Sequence, residues 1–402
     1  MDKESSFSSR LCRISTVVVA MLLAVYVLAN LLFQVPFFQY AVDGAWNFAS
    51  VLDRVKSVVN GRVLGQEVYM DTYASLEKHL NKQESGGFQV VRGENDELIY
   101  TDFFPFDTYE YYQYAMAMKQ LDDITEEDAF LFINGIDLYN GPEDNYGIIP
   151  VANLQRRTDA LNYYLQGYGV NYLDSRDFLF GVGAEGNVRF KTDVHWTIDA
   201  SFDVFSGILS RLKSDHGLDL DPSGFYGNKD NYMQIKYPRR FAGNLGQRTG
   251  IPFSGYDDFT LYTPAFPTDF TMTTSHFGRT KTEQGSFDAV FIDKQLLEAN
   301  SVYERRMYEA YMGGQAPLRV IANHNKPDGV KVLLIGDTYM VPIASFMATV
   351  VGELHFLWTY ENPFVEDLEA YIKTGKFDAV LIGMSSLSIR DDSFKYLGDT
   401  QE

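Results

Sequence analysis

Val330-Lys331-Val332-Leu333-Leu334-Ile335-Gly336-Asp337-Thr338-Tyr339 begins the part of the chain whose pattern decides the fold. Apolar and β-branched residues run up to a glycine, and the apolar stretch 341–351 that follows has the length of a helix. A strand pattern over 354–358, a helical one over 364–373 and another strand over 377–382 complete the series. Strand, helix, strand, helix, strand with right-handed crossovers predicts a parallel sheet. Sites on such sheets lie beyond the carboxyl ends of the strands, so Gly336-Asp337-Thr338 stands where chemistry is expected.

Upstream, the same alternation is visible. Ala129-Phe130-Leu131-Phe132-Ile133 ends at Asn134-Gly135 and reads as a buried strand, 153–166 as a helix, and 170–173 as the next strand. Thr197 caps a helix on which Ile198, Phe202, Phe205, Leu209 and Leu212 form one apolar face. Gly181-Val182-Gly183-Ala184-Glu185-Gly186 makes a flexible tip before that helix. Residues 218–287, rich in Tyr, Phe, Thr, Gly and Asp with poor periodicity, read as an inserted lobe of loops and short strands.

Lys191-Thr192-Asp193-Val194-His195-Trp196-Thr197 carries the chemistry. An acid two residues before a histidine can orient the imidazole, which then serves as general base for a hydroxyl brought to it by the fold. Thr338, on its strand-to-helix turn, offers that hydroxyl. The helix start beyond it would help to hold an oxyanion. Thr338 and Asp337 also suit a plain helix cap, and Gly313-Gly314 a plain turn.

Joined to Phe241-Ala242-Gly243-Asn244-Leu245-Gly246 and Tyr311-Met312-Gly313-Gly314-Gln315, these segments resemble the Asp-His-His-Trp signature of the DHHW proteins. With it comes a likeness to the related alginate O-acetylation proteins of the SGNH/GDSL hydrolase superfamily. The resemblance is dense in the second half of the chain and loose in the first. Val194 stands where the signature has its first histidine, Thr338 where the family has a nucleophilic serine, and Gln315 where an asparagine is more usual.

The resemblance implies an α/β fold, an SGNH-like parallel sheet flanked by helices, acting in O-acetylation or deacetylation of a cell-surface or secreted polysaccharide. Asp193, His195 and Thr338 would be catalytic, Gly314 and Gln315 would serve an oxyanion, and Trp196 and Tyr339 would meet the substrate. A membrane-bound partner would deliver the acyl group. The competing reading is a catalytically silent domain that binds glycan or scaffolds an assembly.

The 402 residues carry a formal net charge of -20, which opposes nucleic acid and anionic lipid as partners. The remaining histidines show no metal-ligand spacing, and no glycine loop of nucleotide-binding type occurs, so neither a metal nor a cofactor is expected. The run 14–33 is free of charge and follows Lys3, Arg10 and Arg13, which predicts a transmembrane helix over 14–37. Residues 1–13 would then be cytoplasmic, 38–87 a stalk, and 88–402 an extracytoplasmic domain. A cleaved signal peptide ending near Val27-Leu28-Ala29 is the alternative. Cys12 is the only cysteine, so no disulfide forms within the chain.

Overall fold

The computed structural model describes residues 65–87, 89–93, 96–101, 108–125, 129–135, 154–179, 188–276, 278–358 and 368–385, with single positions at 18, 21, 24, 25 and 388. The expected anchor over 14–37 and the glycine-rich tip 181–186 lie outside the described residues, apart from those four N-terminal positions. Among the described residues no helix is long and apolar enough to cross a membrane.

The chain falls into two units, Met1–Tyr73 and Ala74–Glu402. In the first, the described residues open the helix Gln66–His79, where Thr72 donates to the Val68 carbonyl at 2.7 Å. The second starts with a small antiparallel sheet of β1 (Glu84–Ser85), β2 (Val90–Arg92) and β3 (Leu98–Tyr100). β1 and β2, which pair, lie before and after the boundary expected at residue 88.

The main sheet contains β4 (Ala129–Gly135), β5 (Tyr172–Asp174), β8 (Phe270–His276), β9 (Arg279–Gly285), β10 (Leu318–Asn323), β11 (Lys331–Gly336), β12 (Glu353–Trp358) and β13 (Ala379–Ser385). A separate hairpin pairs β6 (Tyr232–Phe241) with β7 (Asp257–Pro264). Strand order in the main sheet is β5-β4-β13-β11-β12-β10-β8-β9. The first five are parallel, and the last three join antiparallel.

Side chains alternate across the parallel strands, as a sheet covered on both faces requires. Leu131, Val332, Leu334, Phe356 and Leu381 pack on one face with the helices Ile198–His216 and Met340–Met347. Phe132, Leu333, Ile335 and Ile382 pack on the other with Thr108–Thr125, Leu154–Tyr168 and Leu368–Gly375. The sheet is therefore sandwiched between helices, as expected, but it is mixed, not wholly parallel. Two of its strands, β8 and β9, come from the stretch expected to be an irregular insertion. Their threonines place β-branched side chains on a half-solvated face, while Phe270 and Met272 enter the core. That weak apolar signal hides them in the sequence.

The topology fixes one point. From β11 the chain crosses to β12 on one side, then returns past β11 to β13 on the other. The carboxyl end of β11 is thus a switch point, where a parallel sheet opens a crevice.

Candidate active site

Gly336 ends β11 because any larger residue would collide with the first turn of the next helix: a Cβ there would lie 2.6 Å from the Cβ of Met340. Asp337 follows, buried to 1% exposure. Its Oδ1 accepts from Tyr339 N at 3.0 Å, and its Oδ2 from Ser385 N at 2.8 Å and Ser388 Oγ at 2.7 Å. Burial raises this carboxyl above its ordinary range despite those bonds. Asp337 therefore ties the turn to the end of β13 and leaves Thr338, next in line and half-buried, at the crevice.

Thr338 Oγ1 lies 2.6 Å from His195 Nε2, and His195 Nδ1 lies 2.5 Å from Asp193 Oδ1. Asp193 also accepts from His195 N at 2.9 Å and from Asn244 N at 2.7 Å. Burial pushes this carboxyl up, but the His195 charge and the bonds from His195 and Asn244 outweigh it and hold it below its ordinary range. An anionic Asp193 fixes the proton on Nδ1, which leaves Nε2 to accept from the Thr338 hydroxyl. The three residues expected to meet do meet. The Thr338 backbone N–H, which donates to none of the described residues, remains available for charge developing on a bound carbonyl oxygen.

The loop that carries Asp193 and His195 is held by Thr192 and Gly243 from the quoted motifs and by Asp257, which sequence reasoning passed over. Asp257, at the start of β7, accepts from Lys191 N at 2.9 Å, Thr192 N at 2.7 Å and Thr192 Oγ1 at 2.6 Å. Thr192 Oγ1 in turn accepts from Gly243 N at 2.9 Å. Gly243 sits so close that a Cβ there would overlap the Asp193 side chain. Its backbone dihedrals are ordinary for any residue, so space alone demands glycine. Gly243→Ala should therefore cost about 1–3 kcal/mol of stability through overpacking and displace Asp193 from His195. Thermal unfolding and ester turnover check this; an alanine variant with both unchanged would contradict the packing.

Tyr308 stacks on the imidazole, ring centroids 4.2 Å apart and 18° from parallel. Tyr339 tilts against the imidazole at 4.7 Å, and Trp196 meets Tyr339 edge-on at 5.3 Å. Trp196 and Tyr339, expected at the substrate, are buried. Trp196 and Tyr339 are 1% and 3% exposed, and the Tyr339 hydroxyl donates to the Val194 carbonyl at 2.7 Å. Both brace the histidine loop and are almost wholly enclosed.

The oxyanion pair is also redistributed. Gly314, at φ 91°, is buried beside Glu309, its carbonyl accepting from Arg319 Nη2 at 2.6 Å. Glu309 pairs with Arg306 at 3.0 Å, and burial raises its carboxyl, with Arg306 and His195 acting in the opposite sense. Gln315 is exposed and lines a cavity whose walls include neither His195 nor Thr338. The resemblance implies an oxyanion role for these residues but does not reveal which way the turn faces.

No protein-family model matches the sequence, and no curated protein matches it. Among solved structures the chain is similar to a DHHW family protein from Eubacterium siraeum DSM 15702, at 16% identity and a TM-score of 0.56, over 76% of this chain and 93% of that one. It is also similar to Bacillus cereus PatB1, at 18% identity and a TM-score of 0.59, over 76% and 99% of the two chains. PatB1 with a sulfonyl adduct matches at 18% identity and 0.58 over the same shares. The likeness to a DHHW protein read from the sequence thus holds at the level of the fold.

Proposed function

We propose that this protein transfers acyl groups, moving acetyl to or from a hydroxyl of a cell-surface or secreted polysaccharide. The observation that carries the proposal is the unbroken chain from Thr338 through His195 to Asp193, with successive separations of 2.6 and 2.5 Å. Thr338 Oγ attacks the acetyl carbonyl while His195 Nε2 takes its proton. Asp193 stabilises the imidazolium, and the Thr338 N–H receives the oxyanion. Collapse expels the donor oxygen, which takes the proton back from His195 and leaves acetyl-threonine. A sugar hydroxyl or water, deprotonated by His195, then attacks this ester and releases Thr338.

In the same proposal the domain is exported behind the membrane helix over 14–37, and a membrane-bound partner supplies the acyl group. PatB1, which shares the fold, is known with a sulfonyl adduct, and this supports probing Thr338 with a sulfonyl reagent.

One feature favours a second reading, a silent glycan-binding or scaffold domain. The Thr338 methyl occupies space beside the reacting carbon and stiffens the side chain. Incubation of the protein with a chromogenic acetyl ester separates the two. Turnover above the solvent rate that disappears in Thr338→Val supports acyl transfer, whereas turnover equal to solvent in wild type and in Thr338→Ser supports the silent domain.

A further inference from the structure

Beyond the triad, the other end of the segment Tyr308–Gln315 borders a cavity of about 1080 Å³. Its floor is Arg319 on β10, 2% exposed. Arg319 Nη2 donates to the carbonyls of Met312 at 3.0 Å and Gly314 at 2.6 Å. Its Nε and Nη1, also buried, have no hydrogen-bond partner. Lysine and arginine are almost never fully buried unless paired, and a buried N–H left without an acceptor loses its hydration without return. A guanidinium in this position calls for an acceptor that the protein itself does not provide.

The surroundings favour an anion. Lys281 on β9 lies directly opposite Thr274 on β8, which lies directly opposite Arg319, so the three share one row on one face of the sheet. Arg279 and Lys294 stand on the same walls. Three carboxylates stand there too: Glu283, paired with Lys281 at 2.8 Å, Asp293, which accepts from Gln295 N at 2.8 Å, and Asp288. In a chain of net charge -20, a lining of four cations against three carboxylates, with a buried guanidinium among the cations, is a local reversal.

We propose that this cavity is an anion-binding subsite that takes a carboxylate or phosphate group. Arg319 supplies charge-assisted hydrogen bonds from below, and Lys281 and Arg279 admit the ligand from the rim. The subsite stands independently of the triad, since its evidence is binding geometry and not turnover.

The test is thermal unfolding of the full chain at constant ionic strength with inorganic phosphate, with glucuronate, and with glucose as the uncharged control. Phosphate or glucuronate should raise the midpoint saturably, by about 3 °C at a hundredfold excess over the dissociation constant, and glucose should not. Response to one anion alone identifies the source of the group. Because Arg319→Met risks misfolding, the exposed rim pair Arg279→Glu/Lys281→Glu is the second variant, and it should abolish the shift while keeping the unliganded midpoint. No saturable shift with either anion, or a shift that survives the rim reversal, would overturn the subsite.

Discussion

His195→Ala is expected to lower acetyl-ester turnover by roughly three orders of magnitude, with little change in apparent substrate affinity. The imidazole Nε2 lies 2.6 Å from the Thr338 hydroxyl, and without it the hydroxyl must attack as a neutral alcohol. Asp193→Asn should approach the same loss, because an amide facing Nδ1 favours the wrong tautomer and cannot stabilise the imidazolium. The pH dependence separates the two groups. Asp193 is held below its ordinary range when folded. A depressed carboxyl gives its stabilisation in full above its unfolded value, near 4, and loses it only as pH falls through the lower folded value. Asp193 thus stays anionic through the neutral range, and the acid limb of activity should depend on the imidazole of His195 and not on Asp193. Steady-state rates between pH 4 and 9 check this; a limb that persists unchanged in His195→Ala would assign it to another group.

Thr338→Ser is expected to raise turnover about tenfold, and Thr338→Val to remove it, with both variants as stable as the parent. Serine keeps the hydroxyl within reach of His195 and deletes the methyl that crowds the acyl carbon, and relief of about 1.4 kcal/mol in the barrier is a factor of ten. Valine keeps the shape and removes the nucleophile. The half-buried position and the anchoring of the turn through Asp337 to Ser385 and Ser388 mean that neither change disturbs the fold. Parallel measurement of kcat and KM decides: a serine variant that changes only KM would point to binding, not attack.

The central geometry was legible because it depends on local patterns. Leu333 and Leu334, which face opposite sides of the sheet, mark a strand buried on both faces, and Gly336-Asp337-Thr338 marks its end. Asp193 and His195 are two residues apart, so one loop carries both. What escaped notice is held together at long range. Asp257 closes on Thr192 from far along the chain, and Tyr308 stacks on His195 through the fold of an intervening hairpin. Trp196 and Tyr339 adjoin the base and the nucleophile in sequence, yet both side chains are buried, and Tyr339 already has helical dihedrals as the chain turns into the helix Met340–Met347. The resemblance to DHHW proteins placed Gln315 near an oxyanion, but the positive φ values at Met312, Gly313 and Gly314 turn that segment in a way spacing does not encode.

The most direct measurement is mass mapping of the full chain after treatment with a sulfonyl fluoride. If Thr338 is a nucleophile activated by His195, its oxygen displaces fluoride, and a single sulfonyl adduct maps to Thr338, absent in Thr338→Val and in His195→Ala. An unmodified Thr338 in the wild-type chain, or an adduct that forms equally in His195→Ala, would contradict the account.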